Sequence, residues 1–241
     1  MRIVRAPSIL TTPKRFADYL NVNTKRKRGD WQRDFFMFYS PQTVNQDESY
    51  QKLLAFFSAN KANQRTRLIE AGIPAPKTTI TGLRFEQGKT YLRRPLRHTG
   101  GSGYYLQSNL EHNPNTHYVQ ELFPKSHEYR IIFLFGKPEI TLIKSNPEKR
   151  TSEQSWNHNV GCYFKTVQTL EKNRLRHSDV YEKLKAFPII NLAHICAVDI
   201  LWNKNNRSYS VLEINSSPGI SIQSNIEHLG NKIKEKFNLC H

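Results

Sequence analysis

Two apolar runs near the C-terminal end, each carrying a single carboxylate, form the clearest pattern in the chain. Residues 196–202 read CAVDILW and residues 209–215 read YSVLEIN. The Asn-rich NKNNRS between them has turn chemistry, so the pattern predicts a β-hairpin. Strand side chains two apart share a face, so Glu213 and Asn215 lie together and Ile214 turns away. If the hairpin pairs across the turn, Asp199 joins them.

Upstream, EYRIIFLFG and EITLIKS predict a second hairpin turning at Gly136 and Lys137. YVQELF reads as a short strand, and KTYLRR and YYL as two more. A helix is predicted from Lys61 to Ala71, stopped by Gly72 and followed by Pro74 and Pro76. DVYEKLKAFPIINLAHICAVDI, which runs into the first hairpin strand, spaces its apolar residues as a helix does. SNIEHLGNKIKEKFN predicts an amphipathic helix capped by Ser224 or Asn225. Residues 1–58 are less regular: MRIV suggests a short strand, Phe16–Leu20 a helix start, and TKRKRGDWQR a charged loop before the apolar patch FFMFY.

Composition narrows the class. The 241 residues are 37% apolar, enough for one sizeable core or two small lobes. With 36 Lys plus Arg against 20 Asp plus Glu, the net charge of +16 favours phosphate-bearing or acidic partners. A nucleotide, an acidic macromolecule and a nucleic acid all qualify, the last through the KRKR run at 25–28. No apolar run is long enough for a membrane span. Three scattered cysteines, Cys162, Cys196 and Cys240, point to a reducing compartment and away from a disulfide framework or a zinc site.

Asp199, Glu213 and Asn215 offer only oxygen donors, which suits Mg²⁺ better than zinc. Lys61, at a helix start, sits where backbone N–H groups already favour an anion. RHTGGSG, flanked by Arg93 and Arg94, can bring backbone N–H groups against a phosphate, although it has neither the Walker ending nor the Rossmann spacing. The backbone of Gln120 to Phe123 could hold an adenine, and Glu128 a ribose. Each feature alone also suits an ordinary solvated surface.

Taken in order, the lysine at a helix start, basic strand, glycine loop, QELF, EYR, a further lysine and VDILWNKNNRSYSVLEINSSPG resemble the ATP-grasp superfamily over residues 60–238. The likeness is nearest to the ribosomal-protein glutamate ligases and related carboxylate–amine ligases, in a compact form like those of bacteriophages. The resemblance implies an α+β ATP-grasp fold, two lobes clasping ATP, with residues 59–241 as the ATP-grasp domain after a reduced segment, 1–58. It implies that Lys61, Arg94 and Lys144 hold phosphates under a loop of Gly100, Gly101 and Gly103. Gln120, Glu121, Leu122 and Phe123 would bind adenine and Glu128 ribose. Asp199, Glu213 and Asn215 would hold two Mg²⁺, or Mn²⁺ in their place. Arg130 and Asn159 would stand near the reacting carboxylate.

The implied reaction joins a small-molecule or peptide carboxylate to an amine through an acyl phosphate, in the cytoplasm (a host's, if phage-encoded), with oligomers allowed. A non-catalytic nucleotide- or nucleic-acid-binding module on the same fold is the alternative. Two features depart from the pattern. Arg94 stands where the family carries lysine before the strand's proline, keeping charge but not shape. The short N-terminal segment leaves little protein to bind an acceptor.

Overall fold

The computed structural model describes residues 3–4, 11–22, 24–25, 34–37, 47–79, 86–96, 104–145, 163–167, 175, 178–216 and 218–239. Three short strands, β1 (Ile3–Val4), β2 (Thr24–Lys25) and β3 (Phe35–Phe36), pair in parallel in the order β2-β1-β3. The helix α1 (Thr11–Leu20) lies between β1 and β2 in sequence. Two helices follow. In α2 (Glu48–Phe57), the Asp47 carboxylate accepts from the Ser49 and Tyr50 N–H groups at 2.8 and 3.2 Å, and Tyr50, Leu53 and Phe56 form the buried stripe. In α3 (Lys61–Glu70), Asn60 caps the Asn63 N–H at 2.9 Å.

Two antiparallel sheets carry the rest. The smaller contains β4 (Thr78–Thr79), β5 (Tyr91–Pro95), β6 (Tyr105–Gln107) and β7 (His117–Glu121), in the order β4-β7-β5-β6. The larger contains β8 (His127–Leu134), β9 (Lys137–Ser145), β10 (Tyr163–Thr166), β11 (Ile195–Asn203) and β12 (Ser208–Asn215), in the order β10-β9-β8-β11-β12. Between β10 and β11 come α4 (Val180–Ala186) and α5 (Pro188–Leu192), and α6 (Gln223–Lys236) follows β12.

Alternation along the strands of the larger sheet explains its layers. Tyr129, Ile131 and Phe133 of β8 and Cys196, Val198, Ile200 and Trp202 of β11 pack on one face with α2, α4 and α5. Ile132, Leu134, Ile140, Leu142, Ile195 and Ala197 pack on the other with α1, α6 and Phe35. Residues from the first 58 therefore fill part of both cores, through Tyr50 and Phe56 on one side and Phe16 and Met37 on the other. The second face is apolar only at one end. Toward the other end the same alternation presents Arg130, Asp199 and Glu213, which stand side by side across β8, β11 and β12.

Three expectations are adjusted. β11 begins at Ile195, so the helical pattern before it ends with α5; the Cys196–Ile200 run belongs to an interior strand with all nine β11 residues buried, between β8 and β12. The cap of α6 is Ile222, with no side-chain cap bond, because Asn225 lies inside the helix with its side chain buried. The Asp47-capped α2 fills ground that the sequence pattern left irregular. Among the described residues, no helix is long and apolar enough to cross a membrane.

Candidate nucleotide and metal site

A β-bulge aims the β12 carboxylate. Asp199 pairs with Glu213, yet the next pair is Ile200 with Val211, so Leu212 is the extra residue. Val211 and Glu213 are two apart and would otherwise share a face. The bulge lets Val211 and Ile214 both enter the core while Glu213 and Asn215 turn outward beside Asp199.

Polar contacts tie the group together. Arg130 clasps Asp199 with two parallel bonds, Nε to Oδ1 at 2.6 Å and Nη2 to Oδ2 at 2.8 Å. The Asn215 amide Nδ2 donates to Glu213 Oε1 at 2.8 Å and to Asp199 Oδ2 at 3.3 Å. From α3, Lys61 Nζ reaches Glu213 Oε2 at 3.2 Å and Asn215 Oδ1 at 3.3 Å. The Arg130 guanidinium also covers the Phe164 ring of β10, 4.3 Å from its centroid.

The charges are unequal. Burial works to raise Glu213, but Lys61, the Asn215 hydrogen bond, Arg94 and Arg65 outweigh it and hold the carboxyl below its usual range. Burial, with repulsion from Glu213 and Glu128, pushes Asp199 upward against the pull of Arg130. Arg130 is held protonated: the Asp199 charge and hydrogen bonds overcome its burial.

Beside this row lies a second group. Glu128 accepts from Lys125 at 2.7 Å and from Lys144 at 3.2 Å with each oxygen. Burial opposes its charge, but the two lysines bring its pKa down to about 2. The expected ribose carboxylate and phosphate lysine are thus each other's partners here.

The α3 helix joins the smaller sheet to β12 of the row. Gln120 is buried on β7, its Oε1 accepting from Arg65 Nη1 at 2.5 Å. Glu121, at the end of β7, accepts from Lys89 at 3.0 Å, and Leu122 and Phe123 begin the crossing to β8 in the larger sheet. The N–H groups of Glu121 and Leu122 donate to the Lys77 and Thr90 carbonyls at 2.9 and 3.1 Å. Arg94 on β5 is buried, and its charge helps hold Glu213 ionised. Gly100, Gly101, Gly103 and Asn159 lie outside the described residues.

The sequence reading missed Arg65 and Lys125. Arg65 lies four residues after Lys61, on the same side of α3, and this spacing was the signal available. Lys125 is three residues before Glu128.

As a metal site the donor set fits. Two carboxylates and an amide oxygen are the hard donors Mg²⁺ takes, and both carboxylates already face cations, Arg130 and Lys61. Among the described residues, no group of three His, Cys, Asp or Glu side chains gathers as a metal site; the trio here is two carboxylates and an amide.

No family model matches the chain, and no curated protein matches it. Solved structures do. A D-cycloserine synthetase is similar over 98% of this chain and 99% of its own, at 12% identity and a TM-score of 0.58. A D-alanine–D-alanine ligase from Bacillus anthracis, complexed with ATP, is similar over 99% and 97%, at 13% identity and 0.59. The ATP-grasp ligase PsnB, complexed with a minimal precursor, Mg and ADP, is similar over 98% of each chain, at 13% identity and 0.55.

Proposed function

The chain has the ATP-grasp fold, and on that premise we propose that it is an ATP-dependent ligase that joins a small-molecule or peptide carboxylate to an amine. The observation that carries the reading is the row of Arg130, Asp199 and Glu213 with Lys61 bound across from it. A plain binding module has no use for two carboxylates side by side, one buried and one half-buried, which repel each other.

In this reading residues 59–241 form the ATP-grasp domain, and residues 1–58 a reduced segment that completes its cores. Lys61, Arg94 and Lys144 neutralise the phosphates of ATP, with Gly100, Gly101 and Gly103 over them. The Gln120–Phe123 segment holds adenine, and Glu128 turns from its lysines to the ribose. Asp199, Glu213 and Asn215 hold Mg²⁺, or Mn²⁺, which supplies charge neutralisation to the transferring phosphoryl group. Arg130 and Asn159 orient the reacting carboxylate.

A substrate carboxylate is a poor electrophile because its charge is delocalised. Its oxygen attacks the γ-phosphorus of ATP, the bond to the bridging oxygen breaks, and ADP leaves. The resulting acyl phosphate is attacked at carbon by an amine, phosphate departs, and an amide remains. The cationic side chains stabilise charge that builds on the transferring group. No enzyme nucleophile is required.

The test is ADP release with pools of candidate amines and carboxylates, comparing wild type with Glu213→Ala. Release that depends on both pools and disappears in the variant supports the ligase. No release above background with any pool, together with salt-sensitive oligonucleotide binding without ATP, would favour the binding module instead.

A further inference from the structure

Arg65 is a buried cation whose hydrogen-bond acceptors among the described residues are all neutral. Its exposure is 1%. Neutral acceptors from three strands surround it. Nε donates to the Leu212 carbonyl of β12 at 2.9 Å. Nη1 donates to Gln120 Oε1 of β7 at 2.5 Å and to Thr78 Oγ1 of β4 at 3.2 Å. The guanidinium lies over the Tyr118 ring, 5.2 Å from its centroid. Among the described residues, Nη2 and the Gln120 Nε2 nearby are buried without a hydrogen-bond partner.

Packing alone would be served better by an apolar side chain, because a buried charge carries a desolvation cost that neutral acceptors recover only in part. The position of the acceptors supplies a reason for the arginine. Leu212 is the extra residue of the bulge that turns Glu213 outward. Its carbonyl, displaced from the ladder, is the group Arg65 holds. Gln120 immediately precedes Glu121, where the chain leaves β7 for the crossing between sheets. One planar fork therefore fixes the bulge that aims a metal carboxylate and the strand that leads to the adenine segment.

We infer that Arg65 is a positioning residue that couples the two halves of the site, so that nucleotide held along β7 sets Glu213 for the metal, and metal at Glu213 tightens the nucleotide. The inference rests on the nucleotide-site reading above. Coupling of this kind is reciprocal and is measured as a ratio of affinities. A lysine keeps the charge that helps ionise Glu213 but cannot hold three acceptors as a fork does.

The experiment is calorimetric titration of the full chain with a non-hydrolysable ATP analogue, with and without Mg²⁺, for wild type, Arg65→Lys, Gln120→Met and the double variant. Association of Mg²⁺ with the analogue in solution is common to all four, so differences in the ratio belong to the protein. Each single variant is expected to lower the Mg²⁺ enhancement by about tenfold, and the double variant by no more than either. Thermal melts accompany each titration. An unchanged ratio in Arg65→Lys and Gln120→Met overturns the inference. So does an equal loss of affinity with and without Mg²⁺, or unfolding of both variants, since Arg65 is then only a clasp of the fold. Wild type that binds no analogue at all sinks the nucleotide-site reading itself, a separate outcome.

Discussion

Asp199 and Glu213 stand directly opposite each other across β11 and β12, a buried and a half-buried carboxylate paired in register. Like charges in that relation are unfavourable, by roughly 0.2–1 kcal/mol even on ordinary strand pairs. Arg130, Lys61 and the Asn215 amide offset the repulsion here. An arrangement that works against the fold and is then compensated marks a site set for charge from elsewhere.

The first prediction follows. Glu213→Gln removes the repulsion but also the charge that Lys61, Arg94 and Arg65 stabilise, so the melting temperature should fall at neutral pH, and the gap should close in acid. ADP release should fall about a hundredfold or more, because the negative charge needed at the site is gone. Melting and turnover measured on the same preparation check both losses; a variant as stable as wild type at neutral pH and fully active contradicts this account.

Much of this was legible in the sequence and some was not. The trio could be read because each hairpin strand is a continuous apolar run with one acid, and spacing alone then assigns faces. The bulge at Leu212 could not be read, since no residue there advertises it, yet it keeps Glu213 and Asn215 on the face that counting from Asn215 backward gives. Arg65 was invisible for a different reason. KANQRTRLIE reads as a polar surface helix, and the burial of an arginine within it depends on strands 13 to 147 residues away in sequence. Glu128 was recognised as special, but its lysine partners come from a preceding turn and from β9, which spacing does not bring together.

Glu128 supplies the second prediction, a pH effect. Its folded pKa of about 2 lies below the ordinary 4.5, so its contribution to stability is present above pH 4.5 and is lost as pH falls toward 2. The size is about 3 kcal/mol, from the shift between folded and unfolded states. Urea unfolding of wild type and Glu128→Gln should show a gap at pH 5 that closes by pH 2. A gap independent of pH contradicts the assignment of charge to Glu128.

His194 supplies the third, in a separate window. Its Nδ1 accepts from the Phe36 N–H at 3.1 Å, and its ring packs among Phe35, Phe36, Phe135 and Phe237. Burial first, then Lys236, lowers its pKa to about 4. The unfolded chain therefore takes up a proton before the folded one, and stability present above pH 6.5 is lost as pH falls toward 4. At pH 5 the loss is about 2 kcal/mol. His194→Gln, which retains an acceptor for Phe36, should lack this slope between pH 7 and 5. An equal slope in both proteins would place the titration elsewhere.

The last prediction concerns how the N-terminal segment is fastened. α1 packs on α6, and Gly230 is where they meet: a Cβ there would strike the Tyr19 ring, 2.6 Å from its Cε1. The ring itself is held, its hydroxyl donating to Asn231 Oδ1 at 2.8 Å with Lys234 Nζ 4.5 Å above its centroid. Alanine is the better helix former by about 1 kcal/mol, but overpacking against a fixed ring costs roughly 1–3 kcal/mol. Gly230→Ala should therefore destabilise the chain or leave it unchanged, against its helix propensity. Combining it with Tyr19→Ala should remove the clash and let the propensity gain appear, so the two changes should be non-additive by more than 1 kcal/mol in a double-mutant cycle. Chemical unfolding of the four proteins reads this directly. Additive effects would mean that α1 shifts away from α6 without penalty, and that the N-terminal segment is not fastened through this contact.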